Sequence, residues 1–303
     1  MRTTSEILRD LSLPARDAYD LPDSRKRFDD GGQFRIEIPS CEGPRAFETV
    51  CAAADAHGVP VHRVSQGSGV MLLTDGDIAR MVALGRERSI EVCLFVGPRA
   101  SWDAGVQATS SSGRVLGCSL RGADQLSYGI DDVRHAANLG VRSVLVADIG
   151  QLLILGRMKK AGDLPGDFVL KVSVTVAAAN PATARLLEDL GATSINLPVD
   201  LSLPQVAAIR QAIDAAIDFY IEAPDDFGGT VRHYEIPELV RVASPIYFKF
   251  GLRNAPPLYP CGEHLESVVL LLARERVRRA AIGLGILRRY APDAVPSPVA
   301  VRV

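Results

Sequence analysis

A chain of 303 residues with 47% apolar and 23% charged residues is long enough to bury a large core as one domain. Its formal net charge of -2 leaves no basic excess to neutralise a phosphate backbone, which argues against nucleic acid as a partner. No run reaches the roughly 20 apolar residues that cross a bilayer, and the N-terminal stretch has no signal-peptide core, so the expected location is cytoplasmic with no membrane partner. Cys41, Cys51, Cys93, Cys118 and Cys261 are scattered and form no CxxC, which points to reduced thiols.

In chain order, residues 1–32 predict a helix and a polar linker. A short apolar run followed by a helix-patterned stretch then recurs eight times. The predicted strands are Phe34–Ser40, Val61–Gln66, Glu91–Gly97, Ser143–Asp148, Phe168–Val174, Thr193–Pro198, Asp218–Ala223 and Ile246–Gly251, with the length and β-branched content of buried parallel strands. Between them lie helix patterns such as PRAFETVCAAADAHG and NPATARLLEDLG, several closed by a glycine suited to a C-cap. Strand starts fall mostly at roughly 25 to 30 residue intervals, the size of one βα unit, and eight units select a closed (βα)8 TIM barrel as a single domain over 33–290. An open doubly wound sheet is the alternative. The interval from Gly97 to Ser143 is too long for one unit, so an insertion with a short hairpin is expected on the strand-end face. Residues 291–303 are proline-rich and predict a flexible tail.

A barrel interior is normally filled by Val, Ile and Leu, so charged residues on inward-facing strand positions need a reason. Candidates for catalysis are Lys171, Glu37, Glu222 and Lys249, drawn from strands five, one, seven and eight. Arg35, Arg63, Gln66, Asn196 and Arg253 are candidates for substrate binding, Arg253 as a clamp for a carboxylate. Two chemistries are open. A desolvated lysine, Lys171 first, is a proton shuttle or imine nucleophile beside a carbonyl, and its loss is expected to leave folding intact. Alternatively Glu37, Asp148 and Glu222, with His62 or His233, hold a divalent Mg, Mn or Zn ion. A bland alternative is that the charges are a buried ion-pair network that reacts with nothing. Cys261, just before the last helix, is a further candidate nucleophile if the helix N-terminus lowers its pKa.

The run KVSVTVAAANPATARLLEDLGATSINLPVDLSLPQVAAIRQAI, with Ser173, Asn180, Leu187, Leu190, Gly191, Ala192, Ser202 and Leu203, resembles the peptidase U32 family. The resemblance is specific over Lys171 to Ile213 and implies a barrel fold. Members of that family carry a peptidase label or act as iron–sulfur hydroxylation factors. This chain has YIEAPDDFGGTVRHYEIPEL where the family continues with a cysteine-containing stretch, and no cysteine until Cys261, which argues against an iron–sulfur cluster.

The expected function is that of a U32-like barrel enzyme acting on a small oxygenated anion by lyase- or isomerase-type proton transfer or carbon-bond cleavage next to a carbonyl. Lys171 is then base or imine nucleophile and Lys249 stabilises an enolate. The alternatives are a U32-type hydrolase of peptides or amides, and a non-catalytic binding protein. The small molecule is the expected partner, together with a homodimer through the apolar last helix.

Overall fold

The computed structural model describes residues 2–15, 20–102, 105–110 and 117–299. Eight parallel strands close into a barrel in the order β1-β2-β3-β4-β5-β6-β7-β8. They are β1 (Phe34–Pro39), β2 (Val61–Gln66), β3 (Glu91–Phe95), β4 (Ser143–Val146), β5 (Val169–Val172), β6 (Ser194–Asn196), β7 (Ala216–Glu222) and β8 (Ile246–Phe250). Among the described residues the α-helices are α1 (Thr4–Asp10), α2 (Pro44–His57), α3 (Asp75–Arg88), α4 (Val106–Thr109), α5 (Gly122–Asn138), α6 (Ile149–Ala161), α7 (Pro181–Asp189), α8 (Leu203–Ala212), α9 (Ile236–Ala243) and α10 (Glu266–Tyr290). The single-domain (βα)8 barrel expected from the eight-fold alternation is the observed fold.

Alternation along each strand sorts the residues into two cores. Phe34, Ile36 and Ile38 of β1 are buried toward the helices in one apolar cluster that runs around the barrel. The other parity faces inward and is strongly polar. Register places Glu37 beside Arg63 and Lys249, Lys171 beside Ser194, Asn196 beside Asp218, and Tyr220 beside Lys249. Because paired residues of parallel strands point the same way, these side chains share the interior.

Residues of the U32-like run build the fold locally. Asn180 caps α7 by accepting from the Thr183 N–H at 2.9 Å, and Ser202 opens α8 in a capping box with Gln205. Leu187 is fully buried. Gly191, at φ +113°, brings its backbone against Gly156 of α6, where a Cβ on Gly156 would sit 2.0 Å from the Leu190 carbonyl oxygen.

Two expectations need correction. The segment after β3 shows a 3-10 turn at Ala100–Trp102, then α4 and α5; no hairpin forms among its described residues, and residues 103–104 and 111–116 lie outside them. The C-terminal segment is anchored rather than flexible as far as Ser297, which is 2% exposed: Pro296 bridges to Phe34, and the Ser297 carbonyl meets His62 Nε2 at 2.9 Å. Together with Phe28, whose ring packs edge-on against Tyr247 at 5.3 Å, this segment covers the N-terminal end of the barrel.

Candidate active site

Five ionisable side chains from five strands meet inside the barrel. Glu37 and Lys171, both fully buried, form a short ion pair, and Lys171 Nζ lies 3.2 Å from Asp218 Oδ1. Arg63 Nη1 reaches Asp218 at 2.7 Å and Glu37 at 3.2 Å, its Nε pairs with Glu91 at 2.8 Å, and its guanidinium stacks over the Tyr247 ring. Lys249 Nζ stands 3.5 Å from Glu37 Oε1, and Ser65 donates to Glu37 at 2.6 Å. Burial alone raises the pKa of Glu37, but the charges of Lys171, Lys249 and Arg63 outweigh it and hold the carboxyl well below its ordinary value. Burial wins at Asp218, whose pKa is raised despite Lys171 and Arg63.

Above this network, at the C-terminal ends of the strands, opens a pocket. Lys249, Asn196, Gln66, Ser173, Tyr220 and Arg99 are among the side chains that line it. Lys249 is the group that links network and pocket. Its ammonium donates to Asn196 Oδ1 at 2.5 Å, faces Glu37, and sits 4.2 Å from the centre of the Tyr220 ring. An ammonium has three donors. Asn196 takes one and Glu37 attracts another, so one remains for an oxygen in the pocket.

The predicted residues divide into distinct groups. Glu37, Lys171, Lys249 and Asn196 come together; Arg63 joins the network from below, and Gln66 lines the pocket while bonding Gly69 through both ends of its amide. Lys171 lies under the pocket and has no exposed surface, so it does not present an amine to a ligand entering from above. Arg35 sits at the opposite end of the barrel, paired with Asp30 at 2.8 Å and bonded to Tyr247 and Ser297. Arg253 is on the outer surface, 3.9 Å from Asp225, with a side chain 61% exposed.

Glu37, Asp148 and Glu222 do not converge. Asp148 caps α6 through the Gln151 N–H and also accepts from the Leu120 N–H. Glu222 accepts from the Arg253 N–H at 3.0 Å and faces His233 and Arg279, because a register shift between Tyr220 and Glu222 takes it out of the inward parity. Its pKa, which burial would raise, is lowered by the hydrogen bond from His233. Among the described residues no three of His, Cys, Asp and Glu are grouped so as to hold a metal ion. Cys261 corrects another expectation, since burial pushes its thiol up to about 11.

Sequence reasoning missed Asp218, Arg99 and Tyr259. Asp218 shares the parity of Tyr220 and was readable from alternation. Tyr259, which meets Ser40 Oγ at 2.5 Å, and Arg99 both come from loops, where no periodicity marks orientation.

Residues 118–223 match the sequence model of peptidase family U32, a span that includes the Lys171–Ile213 run, and the chain is U32-like there. Of that run's motif residues, Ser173 is the one that reaches the pocket. No curated protein matches the chain by sequence. Among solved structures, a U32 peptidase is similar at 18% identity and a TM-score of 0.44, covering 76% of this chain and 97% of its own. The YdjI aldolase from Escherichia coli K12 is similar at 12% identity and a TM-score of 0.51, covering 86% of this chain and 93% of its own. At 12% identity the likeness to the aldolase shows the barrel alone.

Proposed function

We propose that this barrel is an enzyme that draws a small oxygenated anion into the strand-end pocket and moves a proton, or cleaves a carbon bond, next to the substrate's carbonyl. The observation that carries the proposal is the ammonium of Lys249, held at the pocket floor with one donor unspent. That donor meets the carbonyl oxygen and stabilises the negative charge that grows on it as solvent takes the α-proton and an enolate forms; a proton from solvent then returns to the α-carbon and restores the carbonyl. Asn196 and the Tyr220 ring fix the amine, and Glu37 stands behind it, 3.5 Å away. Lys171 acts from beneath by holding Glu37 in place, a positioning role rather than that of base or imine nucleophile.

Deuterium uptake at the α-carbon of small 2-oxo acids and hydroxyketones in heavy water, followed by proton NMR, tests this reading. The wild type promotes exchange for at least one such compound, and Lys249→Met slows it by roughly 10² to 10³ without unfolding the protein. Exchange that survives Lys249→Met, or a wild type that exchanges none of them, contradicts it.

A further inference from the structure

The charges around the pocket do not balance, and the imbalance lies in its wall. Arg99, 6% exposed, follows β3 and lines the pocket. Its guanidinium carbon lies over the Phe95 ring, 3.6 Å from the centre, and over the Trp102 ring, 4.1 Å from the centre, and its Nη2 donates to the Gly67 carbonyl. Its Nε has no hydrogen-bond partner, and among the described residues no carboxylate lies within ion-pair distance of it. Arg276 of α10, 3% exposed, is a second buried guanidinium whose Nε and Nη1 lack partners. The carboxylate that acts on both is Glu42, and its oxygens are taken by the N–H groups of Gly67 and Ser68. One carboxylate faces two arginines, and burial raises its own pKa. Glu37 is already shared among Lys171, Arg63 and Lys249.

An uncompensated cation held in a buried wall costs several kcal/mol unless an anion joins it. Stacking between two aromatic rings leaves the planar fork of Arg99 preorganised, and fork geometry suits the paired oxygens of an oxyanion. We propose that Arg99 is the seat of the substrate's anionic group, a carboxylate or a phosphate, while Lys249 takes the carbonyl oxygen. The substrate class is then a carbonyl compound with an oxyanion at its other end. This assignment rests on the reading of the pocket given above, and it replaces Arg253 as the anchor.

The test measures thermal shift and calorimetric binding of inorganic phosphate, pyruvate and neutral dihydroxyacetone to the wild type, Arg99→Met, Arg99→Lys and Lys249→Met. Phosphate or pyruvate binds the wild type saturably, and Arg99→Met weakens that binding at least about tenfold. Saturation by phosphate assigns a phosphate ester, and saturation by pyruvate alone assigns a carboxylate. Arg99→Lys, which keeps the charge without the fork, binds more weakly than the wild type. Ligand-free Arg99→Met melts no lower than the wild type, because a buried charge with no ion-pair partner among the described residues is gone; a purely structural arginine gives a lower melting temperature. No saturable anion binding, or binding unchanged in Arg99→Met, overturns the proposal. Anion binding through Arg99 without deuterium exchange sustains the anion seat and removes the carbonyl chemistry. Exchange of dihydroxyacetone and pyruvate alike, unaffected by Arg99→Met, does the reverse.

Discussion

Replacing Lys171 by methionine removes one cation from a site that water does not reach. Glu37 keeps Arg63 at 3.2 Å and Lys249 at 3.5 Å, but loses its shortest partner, and Asp218 loses a cation at 3.2 Å. Breaking a buried pair from one side costs about 3 to 5 kcal/mol, which in a domain of this size lowers Tm by roughly 10 °C. The sign of the pH dependence follows from the two carboxyls. Glu37 has a depressed folded pKa, so its stabilising contribution is present above its ordinary value of 4.5 and is lost as pH falls through the folded value. Asp218 has a raised folded pKa and takes up its proton first on acidification, relieving a charge that the mutant leaves poorly paired. The stability gap between wild type and Lys171→Met, measured by urea denaturation from pH 7 downward, therefore narrows with acid. A gap below about 1 kcal/mol at pH 7, or one independent of pH, refutes the reasoning.

Lys249→Met costs less than half as much stability as Lys171→Met in the same urea experiment, since Glu37 retains both Lys171 and Arg63. Gly156→Ala drives a methyl into the Leu190 carbonyl and destabilises the α6–α7 contact by about 1 to 3 kcal/mol, seen as a lower Tm with deuterium exchange at 25 °C preserved. Asp148→Ala removes a helix cap and costs about 1 kcal/mol, and adding a chelator changes its Tm no more than that of the wild type.

Much of the fold was legible because period and spacing are local properties. Each predicted strand overlaps an observed one, and the inward parity of Glu37, Lys171 and Lys249 followed from alternation alone. Depth was not legible. Lys171 and Lys249 both face inward, yet only register shows that Lys249 stands beside Tyr220 at the mouth while Lys171 is level with Ser194 below. Polarity was equally blind to which end of a strand opens: Arg35 and Arg63 read as binding groups, but the chain's two terminal segments cover Arg35, and Glu91 draws Arg63 downward. Glu222 left its parity through a register shift that no sequence pattern announces. Arg99 stacks on two rings from a loop whose path depends on tertiary contacts such as Ala100 N–H to the Ser119 carbonyl.

The claim that Lys249 is the amine that meets the substrate is tested most directly by NMR of protein labelled with nitrogen-15 at lysine Nζ. The five lysines are Lys26, Lys159, Lys160, Lys171 and Lys249, and the Lys249 resonance is identified by its loss in Lys249→Met. Titrating in the compound whose α-protons exchange moves the Lys249 signal and leaves those of Lys26, Lys159 and Lys160 in place. A stationary Lys249 signal at a saturating concentration of that compound contradicts the account.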